Sequence, residues 1–447
     1  MEAGYISIII LVAAIILYVT NLIPITITAM LSSAAMVIFG VIPAGRAWAA
    51  FGQDSVLIMA GVILIGSTLF STGAASVVGD LLIKIAGGKP KLSIFLMLAV
   101  SGAMSMVLSN TTCTVMFLPL ILSVVIEAKD NKIVEQKYMQ MLCVMTSVGG
   151  LVTLIGSPIN VASSGLMEAA GYPPFTFGQM AAVSLMLFVV SLLYTFTLGD
   201  KIAEKIFGVG ANLEHSDFVK NFIVEKEELD KKAAGQKLTS GEQKKAGRKK
   251  IYSTVILVVT IGGLITQQFH GISLGTVAII GGIATVLTGC TTVKDMYKKI
   301  DWGTLMLLAG TIGCAAGLAE SGGGRIIANF FIGLLGDSIT PMAVFVVMSL
   351  IAAVITQFMS NTGTCAILIP VGLALAEQLG MNALPIAVGI VMCASLSFMT
   401  PMASPTQALV LNWGSYKFMD YVKYSGPITV ILDVLVIILT PIFFPLI

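Results

Sequence analysis

The chain has 447 residues, 57% of them hydrophobic and 11% charged, with a net charge of +2 and a mean hydropathy of +0.97. So little charge cannot cover the surface of a soluble chain this long, which excludes water-soluble enzymes and nucleic-acid binders and points to an all-α polytopic membrane protein. The six cysteines (113, 143, 290, 314, 365 and 393) form no CxxC pair, and the two histidines, His215 and His270, lie in a polar stretch and at a helix end; no disulfide, metal or haem site is expected.

In chain order, residues 5–23, 56–72, 180–198, 251–265 and 428–444 are nearly free of charge, over about the length a membrane-spanning helix needs. The first run lacks a basic start and a small-residue cleavage site, so it reads as a retained helix and not a signal peptide. Five spans are expected near 5–23, 25–43, 54–72, 137–168 and 178–199. Five more are expected near 251–269, 273–290, 303–320, 383–412 and 425–445. Residues 90–127 and 341–376 read as re-entrant hairpins, each preceded by a glycine-punctuated amphipathic piece, 74–88 and 322–336, lying along the interface.

The domains expected are 1–200, a charged linker 201–250, and 251–447. The linker is rich in Lys and Glu and poor in aromatics, the composition of a mobile tether. It is too short for an ATPase, which argues against a pump. It holds twelve of the 25 Lys and Arg. If the linker is cytoplasmic, 23 of the 25 fall on its side and only Arg46 and Arg325 fall outside, as the positive-inside rule demands. The expected location is the cell (inner) membrane, with both termini outside. An odd number of spans makes the halves run in opposite directions.

The halves also match in sequence. Residues 89–119 align without a gap on 340–370, placing Pro90, Ser109-Asn110-Thr111 and Pro119 on Pro341, Ser360-Asn361-Thr362 and Pro370 at one offset of 251. Further on, Gly156-Ser157-Pro158 corresponds to Ala403-Ser404-Pro405, and Ala60-Gly61 to Ala309-Gly310. Inverted repeats with interrupted helices are the signature of secondary transporters, whose sites lie where the breaks meet.

Ser, Asn and Thr cap helix starts, and a polar triplet at mid-depth is tolerable only where it lines an enclosed cavity. Each triplet therefore marks a hairpin tip. The incoming half-helix ends there with free carbonyls for a small hard cation, and the outgoing one begins with free N–H groups for an anion. The proline breaks at Ser157-Pro158 and Ser404-Pro405 free further carbonyls. The sequon at Asn110 is one in form only, since it falls in a re-entrant segment. From residue 138 to 199 and from 303 to 416 the only Lys or Arg is Arg325. An anion at mid-depth without basic partners needs co-bound cations to offset its desolvation, so cation-coupled anion transport is expected.

Two Ser-Asn-Thr tips, each followed by a Pro-interrupted helix, resemble the divalent anion/sodium symporter family, the INDY-type carriers, over the whole chain outside the linker. The resemblance implies a homodimer working as an elevator-type carrier, with a fixed scaffold and a moving domain of hairpins and broken helices. Carried over residue by residue, it implies one Na+ site at Ser105, Ser109, Asn110 and Gly156. Its pseudo-symmetric mate lies at Thr356, Met359, Asn361 and Ala403, the second and fourth through their backbone. A dicarboxylate is implied between Asn110, Thr111, Ser157, Ser360, Asn361, Thr362, Ser404 and Pro405. Gln407 stands where the first half has Asn160, and Thr112-Cys113 and Gly363-Thr364 replace the family's small Ala-rich run.

The expected activity is Na+-coupled symport of a C4-dicarboxylate such as succinate, malate or fumarate, with Na+ as coupling ion and no other cofactor. Alternatives are citrate, sulfate or another anion, an obligate anion exchanger of the same fold, and an anion channel. An intramembrane enzyme is excluded because the spans lack paired Asp, a Ser–His pair or axial His. Asp433 is the one acid well inside a predicted span, and a lone buried or lipid-rim acid is its simplest account.

Overall fold

The structure, a computed structural model, describes residues 2–20, 22–72, 76–128, 135–207, 240–335, 340–401, 403–413 and 416–447, and among them every regular element is a helix. Before the linker these are α1 (Ala3–Thr20), α2 (Ile25–Ile38), α3 (Ala44–Trp48), α4 (Asp54–Ser71), α5 (Ser76–Ile85), α6 (Pro90–Ser105), α7 (Asn110–Ala128), α8 (Glu135–Gly150), α9 (Pro158–Ala169), α10 (Ala181–Thr195) and α11 (Leu198–Phe207). After it come α12 (Ser240–Ile265), α13 (Leu274–Leu287), α14 (Val293–Lys299), α15 (Trp302–Glu320), α16 (Gly323–Leu335), α17 (Pro341–Ile355), α18 (Asn361–Leu379), α19 (Ala383–Ser395), α20 (Pro405–Trp413) and α21 (Phe418–Phe443). Pro90, Pro158 and Pro341 stand in the first turns of α6, α9 and α17, where a missing N–H loses no helix bond.

Two groups of helices result. In the first, α4 packs along α13 and α2 along α15, through glycines that let the backbones approach closely. In the second, α6 and α7 pack on α8, while α17 and α18 pack on α19. The two halves interlock there, because α9 packs on α18 and α20 packs on α7 and α8. α21 closes this group against α10 and α19. Its core is dense, with Phe117, Met141, Leu151, Phe345, Ile390, Phe398 and Tyr421 fully buried. α15 touches both groups, reaching α9 and α18.

Residues 90–127 form the helix pair α6–α7 and residues 341–376 lie in the pair α17–α18; α8 and α9 are parted by a non-helical gap at 151–157, and between α19 and α20 residues 396–401 and 403–404 are non-helical. The span scheme needs correction in length. Only Ala44–Leu69, Trp302–Glu320, Asn361–Leu379 and Phe418–Phe443 are singly long and apolar enough to cross a membrane among the described residues; Ala181–Thr195 with Leu198–Phe207 qualifies as a pair bent by 50°. α2 and α13 have 14 residues each, shorter than 25–43 and 273–290. Both are followed by a glycine in the left-handed region, Gly40 (φ 70°) and Gly289 (φ 69°), which ends a helix irrespective of the apolar residues beyond it. α18 runs on past residue 376 to Gly380, which caps it at φ 62°. α12 starts at Ser240, inside the segment read as linker, and α11 occupies its beginning; residues 208–239 lie outside the described residues. The amphipathic pieces are helical, and α5 leaves Leu81, Ile83 and Ile85 exposed.

Candidate functional site

α6 stops at Ser105, and the chain turns through Ser109 before α7 restarts at Asn110. Ser105 Oγ lies 2.9 Å from the Asn110 side-chain amide. With its nitrogen turned toward acceptors, that amide donates to Ser105 Oγ (2.9 Å), the Gly156 carbonyl (3.0 Å) and the Thr146 carbonyl (3.3 Å). Crowding explains the glycines here. A Cβ on Gly150 would stand 2.1 Å from Asn110 Oδ1, and one on Gly156 would stand 2.6 Å from the Gly150 oxygen. Asn160 Nδ2 braces the gap by donating to the Gly150 and Thr153 carbonyls, 2.8 Å each. Thr153 Oγ1 donates to the Met106 carbonyl and so ties the gap to the hairpin.

The second half repeats the plan. Thr356 Oγ1 lies 3.0 Å from the Asn361 amide and donates to the Ala394 carbonyl in the last turn of α19. Turned toward acceptors, the Asn361 nitrogen meets Ser397 Oγ (2.8 Å), Thr356 Oγ1 (3.0 Å), the Ala403 carbonyl (3.1 Å) and the Ala394 carbonyl (3.3 Å). Gln357 braces this gap: Nε2 donates to the Leu396 carbonyl (3.1 Å) and Oε1 accepts from Met399 N (3.0 Å). Thr400 Oγ1 donates to the Gln357 carbonyl, the counterpart of Thr153 on Met106. Ser360 Oγ caps α18 by accepting from Gly363 N at 3.1 Å, as expected of a Ser at that position.

Ser105, Asn110 and Gly156 therefore meet in one cluster, and Thr356, Asn361 and Ala403 in the other. Ser109, Thr111, Ser360 and Thr362 are half-buried at the tips, and Pro405 is exposed. Ser157 and Ser404 are buried where α9 and α20 begin, with Ser404 Oγ 2.8 Å from Thr406 Oγ1. Ser109 and Met359 stand beside the clusters, outside the hydrogen bonds described for either. Sequence reasoning missed Thr146, Gly150, Thr153, Ala394, Ser397 and Thr400. A signal existed for one pair: Thr153 and Thr400 each stand three residues before Gly156 and Ala403. The carbonyl contributors carry none.

The oxygens gathered in each cluster belong to hydroxyls, amides and carbonyls, a neutral set suited to a hard monovalent cation. The N-termini of α7 and α18 beside them favour an anion. Among the described residues no group of three His, Cys, Asp or Glu could hold a metal, and all six cysteines are free and buried. Among the described residues the ion pairs lie elsewhere: Arg46 with Glu320, Lys137 with Asp200, and Arg325 with Glu377. The last pair stands at a cavity of about 250 Å3 between α15–α16 and α9–α18, lined also by Leu166, Tyr172, Ala315 and Pro370.

The profile of a family described as citrate transporter matches residues 15–345 and 338–446. An uncharacterized transporter of Synechocystis sp. is 22% identical over 95% of this chain and 94% of its own length. The sodium-dependent dicarboxylate transporter SdcS of Staphylococcus saprophyticus is 22% identical over 89% of this chain and 78% of its own. Among solved structures, the YdaH transporter of Alcanivorax borkumensis aligns with a TM-score of 0.57 at 14% identity, over 91% of this chain and 87% of that one. MtrF of Neisseria gonorrhoeae, from a class of antimetabolite efflux pumps, aligns at 0.56 and 15% identity, over 98% and 95%. At such identities the two structures speak to fold alone.

Proposed function

Because this chain belongs to the citrate transporter family of the ion transporter superfamily, made of transporters and not enzymes, we propose that it is a Na+-coupled symporter of small di- and tricarboxylates, C4-dicarboxylates first. The observation that carries this reading is the matched pair of oxygen clusters at Asn110 and Asn361. An asparagine amide can present either end to its neighbours. With nitrogen inward it satisfies the surrounding oxygens by itself. With oxygen inward, Asn110 Oδ1 accepts from Ser105 Oγ at 2.9 Å and stands beside the Gly156 and Thr146 carbonyls, a set richer in acceptors than in donors that a hard cation completes.

On this reading Na+ is held at Ser105, Ser109, Asn110 and Gly156, and again at Thr356, Met359, Asn361 and Ala403. The carboxylates of the substrate lie on Asn110, Thr111, Ser157, Ser360, Asn361, Thr362, Ser404 and Pro405, at the starts of α7, α9, α18 and α20. Among the described residues no basic side chain joins either cluster, so the cations offset the anion's desolvation. The printed name of SdcS, a sodium-dependent dicarboxylate transporter, supports the same coupling.

The wider architecture follows from the same reading: an inverted repeat in the inner membrane, linker cytoplasmic and termini outside, acting as a homodimeric elevator. Its support is the exchange of partners between halves, α4 on α13 and α2 on α15. The small residues of α15 divide between the two groups: Gly310, Gly313 and Gly317 pack on Ala29, Ser33, Ala47 and Met36, whereas Ala315 faces the hairpin group beside Leu166 and Pro370. The family's description favours citrate as a further substrate.

The deciding experiment is uptake of radiolabelled succinate, with citrate as competitor, into proteoliposomes with and without a Na+ gradient and an imposed voltage. Uptake that needs counter-substrate inside and ignores Na+ makes the protein an exchanger instead. Unchanged uptake in both Asn110→Ala and Asn361→Ala refutes the site.

A further inference from the structure

α21 passes Asp420 and Lys423 and then carries a single ionisable carboxyl, Asp433, in a run that is otherwise apolar but for Ser425, Thr429 and Thr440. It stands ten positions after Lys423 and ten before the helix end at Phe443, about 15 Å from either at 1.5 Å per residue. That is the middle of a bilayer's hydrocarbon. Asp433 is only 8% exposed, and its Oδ1 has no hydrogen-bond partner.

α21 packs on α10, α11, α17 and α19, and none of them brings a cation to this carboxyl. From α19 the facing group is the Cys393 thiol, with Cys365 of α18 behind it. α17 has no titratable residue. On α10 the only one is Tyr194, whose hydroxyl donates to the Tyr424 carbonyl, nine residues back along α21. The charges of α11 (Asp200, Lys201, Glu204 and Lys205) lie toward the linker, where Asp200 pairs with Lys137. An unpaired carboxylate in such surroundings is expensive, and taking up a proton removes the expense.

Cys393 is followed in the chain by Ala394, whose carbonyl accepts from Thr356 Oγ1 and faces the Asn361 amide. The carboxyl is thus one residue removed from the second oxygen cluster. We propose that Asp433 is a proton-binding site linked to that cluster: the carboxyl releases its proton to solvent when a monovalent cation occupies the cluster, and regains it when the cation leaves. This rests on the cation reading of the cluster given above. The sign follows from charge, because an ionised Asp433 attracts the cation and a neutral one does not.

Equilibrium binding of radiolabelled Na+ to the purified full chain tests the linkage. Wild-type affinity should weaken about fivefold or more from alkaline to mildly acidic pH, within the usual span of site-to-site coupling. Asp433→Asn, fixed neutral, should bind with the weak acidic affinity at both, and Asp433→Glu should restore the dependence. Infrared spectroscopy gives a readout that needs no variant to bind Na+: a protonated carboxyl band in the wild type that Asp433→Glu shifts and that added Na+ removes. A pH dependence undiminished in Asp433→Asn, or a carboxyl ionised throughout, overturns the linkage. Wild-type protein that binds no Na+ at any pH overturns the cation reading instead.

Discussion

Gly61 lies against the backbone carbonyl of Ala278, so close that a Cβ on it would stand 2.3 Å from the carbonyl oxygen. Gly310 lies the same way against Ala29, at 2.7 Å. One offset of 249 relates Gly61 to Gly310 and Ala29 to Ala278. Each half thus offers the other one glycine and one alanine carbonyl. In apolar surroundings such backbone approaches supply much of the attraction between helices.

Gly61→Ala and Gly310→Ala should each destabilise the protein by about 1–3 kcal/mol, because a backbone carbonyl cannot move aside as a side chain can. Gly262→Ala is the control: nothing lies within 4 Å of that site, and a helix-favouring residue there should cost no stability. Thermal unfolding of the purified protein in detergent measures all three. Equal midpoints would show that the close approach contributes nothing.

Thr356→Val keeps the shape of the side chain and removes the hydroxyl that reaches Ala394 and Asn361. Apparent Na+ affinity should fall about tenfold or more, the usual scale for a lost metal-site partner, whereas Thr356→Ser should stay near wild type. Gly156→Ala should act on the first cluster by steric means, since its Cβ would stand 2.8 Å from the Ser105 carbonyl oxygen. Na+-dependent uptake into proteoliposomes reads both effects.

Lys137 and Asp200 form a lopsided pair, their side chains 1% and 40% exposed, with the ammonium also 4.3 Å from the Tyr138 ring centre. Asp200→Asn strands a buried cation. A loss of about 1–3 kcal/mol is expected, below that of a fully buried pair because Asp200 is partly solvated. Glu377→Gln should change stability by less than about 1 kcal/mol, since both partners of its pair with Arg325 are more than half exposed and water screens them. Thermal melts of the two variants, run side by side, separate the cases.

The proposed orientation can be checked by labelling. The six native cysteines are all buried, so a membrane-impermeant maleimide should leave the wild type unmodified in intact cells. Arg46→Cys and Arg325→Cys should then label from outside, and Lys294→Cys only after the membrane is opened. Labelling of the lysine site in intact cells would reverse the topology.

Much of this arrangement could be read before any coordinates. Helices begin at Pro90, Asn110, Pro158, Pro341 and Asn361, because these prolines and the Ser-Asn-Thr triplets are local signals that act on the helix they interrupt. Span lengths were read less well. α2 and α13 stop at Gly40 and Gly289, where the backbone changes hand while hydropathy stays high.

Composition was enough to read a helical membrane chain, since lipid demands apolar side chains and a backbone whose breaks are sheltered. It could not say which oxygens would gather at Asn110 and Asn361. The Thr146, Gly156, Ala394 and Ala403 carbonyls belong to every residue type alike, and only the packing of α8 and α19 against the hairpin tips selects them. Nor could it say that Asp433 lies one residue from the second cluster, because α19 and α21 are brought together by the fold and not by the chain.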